Sequence, residues 1–338
     1  MLKSVRILNR LNRDTLTFIY YLRLSYLMTE KQDSGNGVSF SVTVDGDEQN
    51  EDDWERSDQR LSPSRINMFL KCPRSFYYRY IAKLPETMTI HLFRGSLVHN
   101  ILEDLFKKKF KYASYWKYGA AKEWIKGEFK REWDNLVDTK PWVFKDYPEP
   151  QFRKETLDML VNYCDRIENK LNDMMEWKVY RSKDQAFKNL RPLETEMRLH
   201  NKDLQIMGII DGVTKDFEGN ISLIDYKTSK RYGPWLPEDY YRQLIIYALL
   251  YYEHTGIVPK FAGVDWLRFD ETYFVKITDN ELKEARKIIK DMHAALIDNK
   301  NLEENFEKIP SNLCKWCSFY KNPCDVDLKV LKKKKVKK

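Results

Sequence analysis

The sequence predicts a mixed α/β fold, on three observations. Helical periodicity dominates the first half of the folded region, and short apolar strands separated by turn residues follow from about residue 193. An apolar helix then divides those strands into two groups. A chain of 338 residues can bury one elaborated core or two small ones. A hydrophobic share of 42% with 33% charged residues fits a globular, soluble protein. The 59 Lys and Arg against 51 Asp and Glu leave +8, which permits a polyanionic partner without requiring one. No apolar run approaches the ~20 residues of a membrane span; Thr17 to Leu27 comes nearest and contains Arg23. Five cysteines in a chain this long do not suggest a disulfide framework, so a reducing, cytoplasmic setting is expected.

In chain order, residues 1–27 carry Lys3, Arg6, Arg10, Arg13 and Arg23 against one acid, Asp14. That balance suits a mitochondrial transit peptide, or else upstream sequence ahead of a start at Met28. Thr29 to Arg60, with eight acids between Asp45 and Asp58, reads as a disordered acidic linker. The folded domain is expected over 61–326. Ser62-Pro63-Ser64 starts a helix, Ser62 as cap and Pro63 in the first turn, and Pro73 ends or bends it. Helical patterns around 96–135 and about 151–173 predict a helical insertion over roughly 100–190.

Leu193–Leu199, Gln205–Val213 and Ile221–Lys227 read as strands, the last two joined by a turn at 217–220. An apolar helix follows at 238–254, then a hairpin of Phe261–Phe269 and Thr272–Ile277. Asp279–Asn299 closes as an amphipathic helix capped by Thr278 or Asp279. The tail 327–338 is basic, with seven lysines in its last ten residues. There is no G-x-x-x-x-G-K-[ST] phosphate loop, which excludes a nucleotide-driven motor within this chain.

Asp211 is read as ending one apolar strand and Asp225 the next, with Lys227 two residues further on the same sheet face. Unpaired charges at buried strand ends are costly. A bound Mg²⁺ or Mn²⁺ would partner both carboxylates and leave Lys227 facing a water or a phosphate oxygen. A buried Asp–Lys ion pair is the plainer alternative. Gln243 and Tyr247, four residues apart, share one helix face.

The run Gly208-Ile-Ile-Asp211-Gly, then Leu-Ile-Asp225-Tyr-Lys227-Thr, then Tyr241-Arg-Gln243-Leu-Ile-Ile-Tyr247 resembles the core of the RecB-like branch of PD-(D/E)XK nucleases. The resemblance implies that Asp211 and Asp225 hold divalent metal, that Lys227 orients the nucleophilic water, and that Gln243 and Tyr247 lie beside them. Gly95-Ser96-Leu-Val-His99-Asn-Ile-Leu-Glu103 resembles the family's motif helix, which makes His99 a metal ligand. An imidazole in the set suits Mn²⁺ better than Mg²⁺. Glu103 is placed to orient His99, with a solvated helix charge as the alternative. Glu194 and Glu196 stand where the family often has a further acid, and strand register decides which points inward.

Cys314-Lys-Trp-Cys317 followed by Cys324 is a compact metal-binding spacing. Ser62 to Tyr78, including Cys72-Pro-Arg, resembles the opening of RecB-like nucleases that bear an iron–sulfur cluster, AddB and CRISPR-adaptation nucleases among them. The resemblance implies that Cys72, Cys314, Cys317 and Cys324 hold a 4Fe–4S cluster clamping the two ends of the domain; ligand type alone leaves Zn²⁺ open. Cys164 reads as a small buried residue.

Between Phe106 and Trp133, nine Lys and Arg alternate with nine aromatics, among them Lys107, Lys108, Lys109, Tyr112, Tyr115 and Trp116. Rings and cations so interleaved suit a single DNA strand, while an amphipathic helix pair with buried rings is the plainer reading. The family implies an exonuclease on single strands or duplex ends in recombination, repair or phage DNA metabolism, with room for a helicase or recombination partner. Trimming of CRISPR prespacers, or a non-catalytic DNA-binding subunit, are the alternatives.

Overall fold

The computed structural model describes residues 60–106, 119–178, 180–216, 218–230 and 235–328. The chain divides into two units, Met1–Arg56 and Ser57–Lys338, and every described residue belongs to the second. The leader, the acidic linker as far as Gln59, Phe217 and the tail from 329 lie outside the described residues. So do Lys107, Lys108, Lys109, Tyr112, Tyr115 and Trp116 of the expected DNA surface.

Helix α1 (Pro63–Lys71) starts as expected, with the Ser62 side chain accepting from Arg65 N and Pro63 in the first turn. Cys72 is extended, and Pro73 opens the short α2 (Pro73–Phe76), which runs into a π turn over Tyr77–Ile81. The expected helical stretch at 96–135 contains two helices, α3 (Ile90–Asp104) and α4 (Ala120–Thr139). Helix α3 begins earlier than its periodicity suggests because Thr89 caps it, accepting from Leu92 N. Helix α5 (Glu149–Glu176) outruns the expected 151–173, and α6 (Lys183–Leu190), capped by Ser182, is additional.

Strands β1 (Glu194–Asn201), β2 (Ile206–Lys215) and β3 (Ile221–Lys227) are antiparallel neighbours. At the β2–β3 turn, Asp216 accepts from both the backbone amide and the side-chain amide of Asn220, and Gly219 has a φ of 90° that disfavours any side chain. Helix α7 (Glu238–Thr255) crosses over to β4 (Phe261–Trp266), which pairs parallel with β3; parallel neighbours need such a crossover. Strand β5 (Glu271–Lys276) pairs antiparallel with β4 and completes a mixed five-stranded sheet whose spatial order follows the chain. This hairpin is shorter than expected: Phe269 falls in the turn, where Asp270 takes a φ of 54°. Helix α8 (Asp279–Asn299) has the expected bounds, with Thr278 as its cap and Glu281 returning to Thr278 N at 2.8 Å.

Two apolar clusters sandwich the sheet. Helices α3 to α6 pack on Ile224, Tyr226 and Leu267, while α1, α7 and α8 pack on Ile206, Ile210, Leu223 and Val264. Helix α7 is buried from Leu244 to Tyr251, enclosed between sheet and helices. It comes so close to β2 that a Cβ on Gly208 would stand 2.9 Å from Leu250 Cδ1 and 3.0 Å from the Tyr247 ring. No helix of the described residues is long and apolar enough to cross a membrane.

Candidate active site

The site forms where β2 and β3 part. Their ladder ends at Gly212 opposite Ile224, and one further step would set Asp211 opposite Asp225. The Asp211 side chain takes over there, its Oδ2 accepting from Tyr226 N at 2.6 Å. Asp211 therefore does not end a strand, as its position after an apolar run suggested. It lies inside β2, which continues to Lys215 because Gly212 to Lys215 pair with Ile221 to Ile224. Side-chain alternation also breaks here: Ile210 and Val213 join the same cluster, while Gly212 faces the Tyr226 hydroxyl.

The β1–β2 ladder omits its own pair at this row, Glu196 with Asp211, and Glu196 has a φ of 50°. A left-handed backbone at a non-glycine residue is strained by about 1–3 kcal/mol and gathers at functional sites. Its carboxylate Oε1 is 3.5 Å from His99 Nδ1, and Asp211 Oδ1 is 3.3 Å from the same atom. His99 Nε2 donates to the Tyr226 carbonyl at 3.0 Å, which orients the ring and turns Nδ1 toward the acids. Burial disfavours the charged imidazole, yet Asp211 and Glu196, with Asp225 beyond, outweigh it and push His99 up to about 10.

His99, Glu196 and Asp211 present ligand atoms within 4.8 Å of one another, and among the described residues no other such trio does. Glu194 is exposed, so the register question between the two glutamates resolves to Glu196. No sequence signal separated them, because the twist at Glu196 is a local backbone event.

Asp225, expected among the ligands, stands beside this trio rather than in it. Gln243 Nε2 donates to its Oδ1 at 2.9 Å, and Lys227 Nζ lies 2.6 Å from its Oδ2 in a direction that makes no hydrogen bond. Lys227 also donates to Gln243 Oε1 at 3.2 Å, and Gln243 Nε2 reaches the Tyr247 hydroxyl at 2.8 Å. The Tyr240 ring lies 5.2 Å from Nζ. Burial pushes the Asp225 carboxyl up, with Lys227 pulling against it and Asp211 adding to the rise. Burial disfavours the Lys227 ammonium, but Asp225 outweighs it and holds the group above its ordinary range.

The donor set fits a hard divalent cation. Three carboxylates converge with Lys227 and an imidazole to balance them, and Asp225 Oδ2 is a buried acceptor without a hydrogen bond. A proton on Nδ1 and a cation compete for the same place between Asp211 and Glu196. Glu103 was expected to orient His99; the partner seen on His99 Nε2 is the Tyr226 carbonyl.

A second constellation joins the two ends of the unit. Cys72, between α1 and α2, lines one small cavity with Cys314, Cys317, Cys324, Arg74, Tyr78 and Lys308. Around it Arg74 donates to the Phe306 carbonyl at 2.8 Å and pairs with Glu303, and Tyr78 donates to Glu303 at 3.0 Å. Phe76 stacks on Phe306. Burial pushes the Cys317 thiol up. Cys164 is fully buried in α5, where burial pushes its thiol up to about 12.

No curated protein matches the chain. Among solved structures, a candidate exonuclease from Eubacterium rectale covers 86% of this chain and 98% of its own, at 13% identity and a TM-score of 0.43. That overlap is too loose to argue from. The family comparison reaches further: the model of the PD-(D/E)XK nuclease superfamily matches residues 60–325, which hold the diverging strands, the acid row and Lys227. The chain belongs to the PD-(D/E)XK nuclease superfamily.

Proposed function

We propose that this chain is a Mg²⁺- or Mn²⁺-dependent DNA exonuclease of the RecB-like branch, hydrolysing phosphodiesters of single strands or duplex ends. One observation carries the reading. The acid row opens at the parting of β2 and β3 with a lysine on the same strand as Asp225 and an imidazole opposite. His99, Glu196 and Asp211 would hold the cation, joined by Asp225 as the resemblance implies. A cation there would supply charge stabilisation at the scissile phosphate and lower the pKa of a bound water.

The chain's own residues supply orientation. Gln243 fixes Asp225 and Lys227 together, and Tyr247 fixes Gln243, so the ammonium is held toward the acids before substrate arrives. Lys227 then positions the attacking water and offsets charge on the phosphate. Digestion of 5′- and 3′-labelled single- and double-stranded DNA with Mg²⁺ or Mn²⁺ tests the reading and gives polarity and strandedness. Laddered products that shorten from one end support it; no cleavage of any of the four substrates refutes it.

The four cysteines are proposed to hold a 4Fe–4S cluster. All four line one cavity, and ligand type leaves a single Zn²⁺ as the alternative. The catalytic unit is proposed to run over 61–326, with α4 to α6 as the helical insertion.

A further inference from the structure

The backbone that carries Lys227 is held at three consecutive carbonyls. Tyr226 O accepts from His99 Nε2 at 3.0 Å, Lys227 O from Leu267 N at 3.1 Å, and Thr228 O from Arg94 Nη2 at 3.2 Å. His99 and Arg94 both project from α3, so one helix grips β3 on either side of Lys227. The next residue is tied separately, Ser229 Oγ lying 3.1 Å from the Tyr240 hydroxyl.

Arg94 is an expensive way to make one such bond. It is 4% exposed, and its Nε and Nη1 find no hydrogen-bond partner. Its company is Glu155 Oε2 at 3.7 Å from Nη1 and the Phe152 ring 5.1 Å from the guanidinium carbon. Glu155 is shared, because its other oxygen takes Arg268 at 3.0 Å. Each unmet buried donor is costly, and an apolar side chain would fill the space without that cost. Stability alone does not account for a guanidinium here. Its aim at Thr228, one residue past Lys227, does.

We infer that Arg94 is a positioning residue: by holding the Thr228 carbonyl to α3 it keeps Lys227 seated between Asp225 and Gln243. The inference rests on the proposed role of Lys227 in hydrolysis. Arg94 touches neither the acids nor the substrate in this account. A planar donor of fixed reach suits the task, and Arg94→Lys should serve it only in part.

The test is steady-state cleavage of a labelled single-stranded oligonucleotide with Mn²⁺ by wild type, Arg94→Met, Arg94→Lys and Ile125→Ala. Ile125, buried in the same cluster but on α4, which supplies no residue to the site, controls for stability loss. Arg94→Met is expected to lower kcat roughly 10- to 100-fold, with KM, metal half-saturation and metal-free DNA binding within about twofold of wild type. Arg94→Lys should recover part of the loss, and Ile125→Ala should melt lower yet keep its kcat per folded molecule. If Arg94→Met does not fold, Arg94→Lys and Glu155→Gln are read instead, each expected to lower kcat by a smaller factor. An active wild type with kcat unchanged in the readable Arg94 and Glu155 variants overturns the inference alone. A wild type that cleaves nothing overturns the nuclease reading and this inference with it.

Discussion

Asp211 accepts the backbone amide of Tyr226 at 2.6 Å, so a side chain fills the ladder position where β2 and β3 separate. The same contact aims Oδ1 at His99, 3.3 Å away. One carboxylate thus closes the sheet and opens the site. Asp211→Asn keeps the shape but exchanges an acceptor for a donor, and should lose both cation affinity and the clean end of the ladder. Loss of Mn²⁺-dependent stabilisation in thermal melts checks this.

Asp225→Ala and Lys227→Ala should each abolish cleavage while DNA binding persists. Asp225→Ala leaves a buried ammonium without its partner at 2.6 Å and should also lower the melting temperature. Lys227→Ala strands a buried carboxylate in the same way. Wild-type rates in either purified variant would refute the assignment.

Glu196→Gln should raise the Mn²⁺ half-saturation for cleavage roughly 10- to 100-fold, by analogy with the loss of metal-site partners. Glu194→Gln, two residues away and exposed, should change nothing. The pair discriminates because both replace a carboxylate by an amide on one strand.

Much of this architecture could be read from residue pattern. The Ser62 cap, the β3 bounds, the α8 bounds and the Asp225–Lys227–Gln243–Tyr247 grouping all follow from periodicity, capping chemistry and a family resemblance. Glu196 could not be selected, because its inward aim depends on a φ of 50° that breaks strand alternation. Asp225 was expected among the ligands; it stands beside the trio, paired with Lys227 on its own strand and held by Gln243 from α7. Arg94 carried no signal at all: its value lies in a carbonyl more than a hundred residues away, and backbone acceptors are silent in sequence.

Gly208→Ala should damage the site from behind. The added methyl would stand 2.9 Å from Leu250 Cδ1 and 3.0 Å from the Tyr247 ring, well inside van der Waals contact, and overpacking of this kind costs about 1–3 kcal/mol. Because Tyr247 holds Gln243, cleavage should fall further than the melting temperature alone explains. Kinetics at equal folded fraction separate the two effects.

Cys317→Ala should lose iron and sulfide, melt lower and cut more slowly, whereas Cys164→Ala should keep its metal. Cys164, its thiol pushed up to about 12 by burial, stays protonated at pH 8 and should resist thiol reagents in the folded protein. Iron and sulfide analysis of anaerobically purified protein reads the difference. Equal iron content in both variants would refute the four-cysteine site.

The most direct test of the central claim is cleavage of end-labelled DNA by wild type and Asp225→Asn, with Mn²⁺ and with chelator. The account predicts progressive shortening from one labelled end by wild type with Mn²⁺, and none by the variant or in chelator. Equal cleavage by Asp225→Asn, or cleavage that survives complete removal of divalent metal, would contradict it.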